Sequence, residues 1–120
     1  MIKVIKGLPK HILGFEVSGV VSAEDYETVI IPAVDAADTG DRKLRMLYHV
    51  APGFKKFDFG AMWDDTKVGL KHLTSWEKVA VVTDEDWIRS AIKVFGFAIP
   101  GQFRAFKDNE LAVAKKWLTE

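Results

Sequence analysis

The sequence predicts an α/β fold with a five-stranded mixed sheet, in which an amino-terminal hairpin is antiparallel and the remaining strands are parallel, and four helices mainly on one face. Strand-like segments alternate with helical periodicities in the order β-β-α-β-α-β-α-β-α, and a helix that links two strands makes them parallel. One turn-forming stretch, Gly7-Leu8-Pro9-Lys10, joins two strands directly and predicts the hairpin. One face of the strands is more polar than the other, as expected when right-handed crossovers place the helices on the same face.

Length and composition narrow the class of protein further. A chain of 120 residues predicts a single domain over residues 1–120. Its 17 basic and 17 acidic side chains are spread evenly, which argues against nucleic-acid binding, because that function needs clustered Lys and Arg. Lysines interrupt the apolar amino terminus, so we expect neither a signal peptide nor a transmembrane segment. The absence of cysteine excludes thiol chemistry and fits a cytoplasmic location.

Five segments have the composition of strands. They are residues 2–6, 11–17, 44–50, 76–83 and 103–106. Within the fourth, Val79-Ala80-Val81-Val82 is apolar without alternation, which is typical of a strand buried on both faces. A loop is predicted after the third, at Ala51-Pro52-Gly53.

The first helix is predicted to begin at a Ser22 cap and to be kinked by proline. Its apolar positions have the spacing of a buried helix face and are Tyr26, Val29, Ile30, Ala33, Val34 and Ala37. Pro32 has no amide hydrogen for the carbonyl of Thr28, so it should distort the helix, whereas the unbroken apolar stripe argues against two separate helices.

Three further helices follow the later strands. Asp58 is predicted to cap the second helix, and Asp108 the last. The second helix is predicted to bury Phe59, Met62, Trp63, Thr66, Leu70 and Leu73, and to expose Asp64, Asp65, Lys67 and Lys71. The third is predicted to bury Trp87, Ile88, Ala91, Ile92 and Phe95, with Gly96 as a left-handed terminator. The last is predicted to bury Leu111, Ala114, Trp117 and Leu118.

The carboxy-terminal half resembles the bacterial SpoIIAA-like proteins. The residues that carry the resemblance are Val79-Ala80-Val81-Val82-Thr83-Asp84, Trp87, Phe95, Pro100-Gly101, Arg104, Phe106, Glu110, Ala114 and Trp117-Leu118. The predicted order of elements extends the likeness over the whole chain. The resemblance implies a right-handed βα superhelix related to two groups of domains, the STAS domains and the lipid-binding CRAL-TRIO domains.

The two related groups imply different functions. STAS antagonists of anti-sigma factors carry a phosphorylatable serine in an Asp-Ser-Ser/Thr-Gly motif after the third strand. The matching region here, residues 51–60, contains neither Ser nor Thr, so the phosphorylation switch does not carry over. CRAL-TRIO domains hold an apolar ligand beside the sheet, and the same region of this chain is rich in aromatic residues.

That aromatic region is the candidate ligand site. Phe54, Phe57, Phe59 and Trp63 follow the carboxyl end of a predicted parallel strand, which is where open α/β sheets bind ligands, and His49 lies beside them. Three interpretations remain open for the rings: packing in the core or a dimer contact, binding of an apolar or lipid-like small molecule, and contact with a partner protein.

We find no catalytic or metal-binding constellation in the sequence. His49 has no serine or cysteine nucleophile placed to use it, and no pair of histidines has the spacing of metal ligands. We therefore predict a non-enzymatic cytoplasmic binding domain for an apolar or lipid-like small molecule, without a cofactor. The alternative is a STAS-like protein-interaction or regulatory module without the phosphorylatable serine, acting as a homodimer or with a partner protein.

Overall fold

The computed structural model describes residues 1–72, 74–96 and 100–120, with the backbone alone for 68–70 and 95. The sheet consists of β1 (Ile2–Val4), β2 (Ile12–Val21), β3 (Leu44–Phe57), β4 (Trp76–Val82) and β5 (Gln102–Phe106). The strands lie side by side in chain order, β1-β2-β3-β4-β5. β1 is antiparallel to β2, and the other pairs are parallel. The predicted mixed sheet and its hairpin are therefore confirmed.

The third strand is longer than predicted, because the expected loop at Ala51-Pro52-Gly53 is a bulge inside β3. Val17 pairs with Val50 and Gly19 with Phe54, so three residues of β3 lie opposite one residue of β2. Among the described residues, the part of β3 beyond His49 pairs only with β2, so its other edge has no described partner and a proline is tolerable there. The loop prediction was wrong because Pro and Gly signal a break in pairing but do not distinguish a turn from a bulge.

The first helical segment is continuous but contains a wide turn. It runs through α1 (Ala23–Asp25), a π-helical turn (Tyr26–Ile30) and α2 (Ile31–Ala37). The predicted cap is confirmed, because the Ser22 hydroxyl accepts from the Asp25 amide and the Asp25 carboxylate accepts from the Ser22 amide. The irregularity at Pro32 takes the form of the π turn immediately before α2, which accommodates a proline ring that would meet the carbonyl four residues earlier.

The face that the second predicted helix buries differs from the prediction. This helix is α3 (Phe59–Lys71), and its predicted cap is confirmed by a 2.7 Å bond from the Ala61 amide to the Asp58 carboxylate. Phe59, Met62 and Trp63 are exposed, whereas Ala61 and Asp64 are buried. A Cβ on Gly60 would lie 2.8 Å from the Cβ of Ala23, so small residues let α3 approach α1 closely. The predicted inward positions Leu70 and Leu73 lie outside the described side chains.

The last two helices differ from prediction at their ends, and Trp87, which was expected to be buried, is exposed. α4 spans Asp86–Phe95, and Gly96 keeps right-handed helical geometry with φ −61° instead of the expected left-handed one. Its packing explains the glycine, because a Cβ there would lie 3.3 Å from the Cβ of Phe103. α5 spans Leu111–Thr119 and follows a 3₁₀ turn over Asp108–Glu110. Asp108 therefore does not cap α5, and its carboxylate contacts His49.

Two cores lie on opposite faces of the sheet. The larger core packs the first helical segment, α3 and α4 against β2, β3 and β4, and it includes Phe15, Tyr26, Ile88 and Val79. The smaller core packs α5 against the other face through Ala114, Trp117 and Leu118. Among the described residues, three of the four helical segments thus cover one face, as predicted.

A buried histidine joins the end of α2 to the end of α3. The His72 Nε2 lies 2.9 Å from Asp35 Oδ1, and its Nδ1 is hydrogen-bonded to Asp38. Asp38 also accepts a 2.7 Å bond from the Ser75 hydroxyl, just before β4. These bonds to His72 and Ser75 hold the pKa of Asp38 below its usual 3.8. Asp38 therefore stabilises the fold in its ionised form.

We predict that Asp38→Asn lowers the free energy of unfolding by on the order of 1 kcal/mol at pH 6. The reason is that the neutral amide oxygen of Asn is a weaker hydrogen-bond acceptor than the charged carboxylate. The Asp38 contribution is complete above its unfolded pKa and is lost as the pH falls through the lower folded pKa. Urea titrations at pH 6 and pH 3 should therefore show a larger pH-dependent loss in the wild type than in the variant. Equal losses would contradict the role of this carboxylate.

Gly101, which precedes β5, lies against the backbone at the start of β4. Its φ is +98°, and a Cβ would lie 2.4 Å from the Trp76 carbonyl oxygen. Backbone atoms cannot move aside as a flexible side chain can. The residue is therefore restricted to glycine by both its dihedral angle and the close approach.

We predict that Gly101→Ala destabilises the protein by more than about 2 kcal/mol, since the strain of a positive φ alone costs about 1–3 kcal/mol. Gly40→Ala is the matched control, because Gly40 has φ +82° but no atom of the described residues within 4 Å of an added Cβ. Gly53→Ala, with neither feature, should stay within about 0.5 kcal/mol of wild type in urea denaturation. A Gly101 variant no less stable than the Gly40 variant would contradict the predicted clash.

Candidate functional site

A pocket of about 340 Å³ lies between the sheet and helices α3 and α4. Its floor is formed by β3, β4 and β5, and its walls by the π turn and the two helices. The lining residues are Tyr26, Met46, Tyr48, Phe57, Met62, Asp65, Thr66, Val79, Val81, Trp87, Ile88, Ala91, Ile92 and Phe103. Met62 and Trp87 are more than half exposed, so they form the rim that faces solvent. The pocket is thus mainly apolar, with few polar groups.

Three of those polar groups form a hydrogen-bonded chain, which we call the Tyr–Tyr–Asp chain. The hydroxyls of Tyr26 and Tyr48 are 2.6 Å apart, and the Tyr26 hydroxyl donates to Asp65 Oδ1 over 2.9 Å. A phenol has one hydrogen to donate, so Tyr26 must accept its second bond from Tyr48. The chain therefore runs from the sheet through the π turn to α3, and ends on the carboxylate.

The surroundings of the Tyr–Tyr–Asp chain favour the uncharged forms of its two phenols and its carboxyl. Burial, followed by the nearby Asp65 charge, raises the pKa of both phenols, so they stay protonated. Burial also raises the pKa of Asp65, and the bond from Tyr26 opposes that shift only in part. As a residue Asp65 is exposed to solvent, whereas its carboxyl lies at the pocket wall, where protein atoms partly desolvate it. Within the described ranges, no Lys, Arg or His forms an ion pair with it.

The structure places the residues of the predicted site in different locations. Phe57 lines the pocket, and its ring meets that of Trp87 edge-on at 6.3 Å. Phe54 is buried in the larger core with its ring 4.8 Å from that of Phe57. Phe59 and Trp63 are 86% and 60% exposed on α3 and do not line the pocket. Only one of the four predicted rings therefore reaches this cavity.

His49 projects from the opposite face of the sheet. Its Nε2 lies 3.2 Å from Asp108 Oδ1, and its Nδ1 lies 3.7 Å from Glu16 Oε1. Carboxylates thus flank both ring nitrogens, and Oδ2 of Asp108 is buried without a hydrogen-bond partner among the described residues. This cluster is separate from the pocket and from the Tyr–Tyr–Asp chain.

The sequence does not predict that the polar residues of the pocket meet. Its patterns place Tyr26 in the core, Tyr48 in a strand and Asp65 on a solvated helix face, and the structure agrees with each placement. Alternation along β3 does place Met46 and Tyr48 together on the helix-covered face, opposite His49. No sequence signal brings Asp65 to them, because their meeting depends on how α3 lies on the sheet.

Neither a metal-binding group nor a membrane-spanning helix is found among the residues described. They include no group of three or more His, Cys, Asp or Glu side chains that could hold a metal ion. In the same residues, no helix has both the length and the apolar character required to span a bilayer.

We predict that Asp65→Asn stabilises the protein at pH 7, since a carboxylate whose pKa is raised by desolvation in the folded state disfavours folding when ionised. The stabilisation that protonated Asp65 gives is complete below its usual 3.8 and is lost as the pH rises through the raised pKa. Tyr26 and Tyr48, the ionisable side chains facing it from the π turn and β3, do not titrate in this range. Melting temperatures should therefore agree near pH 3 and diverge towards pH 7, with the variant higher. Parallel pH profiles would contradict the prediction.

Comparison with known proteins places the chain in a family. The model of the SpoIIAA-like family matches residues 12–119. The chain is also similar to the crystal structure of an uncharacterised protein of the DUF3478 family with a SpoIIAA-like fold from Shewanella loihica PV-4. That similarity has a TM-score of 0.78 and 28% identity, and it covers 98% of this chain and 92% of the other. The comparison with curated proteins found no match. Since the family model spans nearly the whole chain, with the strand order and helices described above, the chain belongs to the SpoIIAA-like family.

Proposed function

We propose that this protein is a non-enzymatic cytoplasmic binding domain that takes an apolar small molecule into the pocket between the sheet, α3 and α4. The observation that carries the proposal is the pocket itself, an apolar cavity that holds a short chain of polar groups. Its volume of about 340 Å³ lies at the lower end of small-molecule sites, which span roughly 300–1,000 Å³.

The lining supports binding through burial of apolar surface. Val79, Val81 and Phe103 on the strands face Ile88 and Ile92 on α4 across the cavity. Each Å² of apolar ligand surface removed from water there contributes roughly 25 cal/mol. The Tyr–Tyr–Asp chain supplies the few polar atoms that orient a ligand in such a site.

The rim supports entry from solvent and supplies a spectroscopic probe. Trp87 is 54% exposed and lines the pocket, whereas Trp63 is exposed on α3 away from it. A ligand that enters should therefore change the fluorescence of Trp87 but leave that of Trp63 unchanged.

A second candidate function is a STAS-like protein-interaction module, either a homodimer or bound to a partner protein. The observation in its favour is the pair Phe59 and Trp63, which lie one helical turn apart and largely exposed on α3. Light scattering of wild type and Trp63→Ser would test the homodimer. A concentration-dependent mass that the substitution abolishes supports it, and a monomer at all concentrations contradicts it.

For the pocket, we predict that Ala91→Phe reduces ligand affinity about tenfold or more without lowering the melting temperature, because the added ring occupies empty volume. Native mass spectrometry after incubation with a lipid and metabolite extract, followed by titration of the retained compound, is the measurement. Val113→Phe is the matched control, since Val113 is exposed on α5 and adds the same ring away from the pocket.

Two tryptophan variants test the same binding site by a second measurement, fluorescence. Trp87→Phe should abolish the ligand-induced fluorescence change, and Trp63→Phe should preserve it. If no compound is retained and no fluorescence change occurs, or if Ala91→Phe binds as tightly as wild type, the proposed site is wrong.

A further inference from the structure

We infer that the ligand is an amphiphilic amine, with an apolar body in the pocket and a positively charged, hydrogen-bond-donating head at the Asp65 carboxylate. The inference rests on the proposed function and adds the chemical class of the ligand. It is carried by two features of the Tyr–Tyr–Asp chain, the direction of its hydrogen bonds and its uncompensated charge.

The direction of the hydrogen bonds leaves acceptors for a ligand. Tyr26 donates its hydrogen to Asp65 Oδ1, and Tyr48 donates its own to Tyr26. Both phenolic hydrogens are therefore used within the chain. Asp65 Oδ2 has no hydrogen-bond partner among the described residues, and the Tyr48 oxygen keeps a lone pair. With the carboxyl ionised, this group of atoms can accept from a ligand but cannot donate to it.

When Asp65 is ionised, the Tyr–Tyr–Asp chain carries one negative charge, and no cation of the described residues lies beside it. Lys67, two residues after Asp65 and therefore on a different face of α3, pairs with Asp64 at 3.7 Å instead. Arg89, on α4, is bonded to Asp86 and to the Thr83 carbonyl. A partly desolvated carboxylate without a counter-charge is unfavourable, and an ammonium group would reduce that cost while keeping Asp65 ionised.

The competing head groups fit this geometry less well. A ligand carboxylate would meet Asp65 as a like charge and would find no free donor in the chain. An alcohol can donate one hydrogen bond to Oδ2 but leaves the negative charge uncompensated. Phe57 and Trp87 also line the pocket, and aromatic side chains are compatible with an ammonium group.

The test compares three probes that share one apolar chain: octylammonium, 1-octanol and octanoate. Binding is followed at pH 7 by Trp87 fluorescence and by calorimetry, below the concentrations at which the probes aggregate. We expect octylammonium to bind about tenfold or more tightly than octanoate, with 1-octanol between them. A tenfold ratio corresponds to about 1.4 kcal/mol, the size of a partly solvated charge interaction.

Asp65→Asn should reduce the ratio of octylammonium to octanoate affinity to within about threefold while 1-octanol still binds. Asp64→Asn is the matched control, since it removes the same charge from the preceding residue, which does not line the pocket. It should keep the wild-type ratio. The comparison of the three probes on the wild-type protein remains a test of the inference even if a variant folds poorly.

The outcomes separate this inference from the proposed function. Octanoate or 1-octanol binding as tightly as octylammonium would overturn the amine and leave the pocket as a binding site. The amine would also be overturned, and the pocket retained, if Asp64→Asn lowers the ratio of octylammonium to octanoate affinity as much as Asp65→Asn does. The preference for octylammonium would then reflect the net charge of the protein and not a contact with Asp65. If none of the three probes binds, both the inference and the proposed function are wrong.

Discussion

The chain order of the sheet is the constraint on which the rest of this structure depends. Because each parallel strand lies next to the preceding one, every crossover steps in the same direction, and a right-handed crossover then places each linking helix on the same face. The first helical segment, α3 and α4 therefore share one face, and α5, which links no strands, covers the other. The pocket lies where α3 and α4 span β3, β4 and β5 without filling the space beneath them.

Within that arrangement the Tyr–Tyr–Asp chain connects three elements at the pocket wall. Tyr48 belongs to the sheet, Tyr26 to the π turn, and Asp65 to α3. π turns are found frequently at functional sites, and here the turn carries the central member of the chain. The chain offers hydrogen-bond acceptors inside an otherwise apolar cavity, which is the combination that gives a small-molecule site both affinity and orientation.

Much of the fold could be predicted from local patterns, while the site could not. Alternation along the strands, the Ser22 and Asp58 caps and the Pro32 irregularity all depend on neighbours within a few residues, so sequence spacing was sufficient for them. The inward face of α3 was predicted wrongly, because the large rings of Phe59 and Trp63 suggested burial whereas small residues at Gly60 and Ala61 make the close contact. Which face of α3 is buried depends on the distance between the helices, and hydrophobic periodicity carries no information about that distance.

The sequence by itself determined the order of strands and helices, the parallel sheet and its hairpin, since these follow from periodicity, turn residues and connection length. It also located an aromatic surplus around residues 54–63, of which Phe57 lines the pocket. Only the tertiary structure decided that Tyr26, Tyr48 and Asp65 meet, because residues separated by 17 to 39 positions come together only through the packing of α3 and the π turn on β3. Hydrogen bonding between such distant residues is a property of the packed molecule.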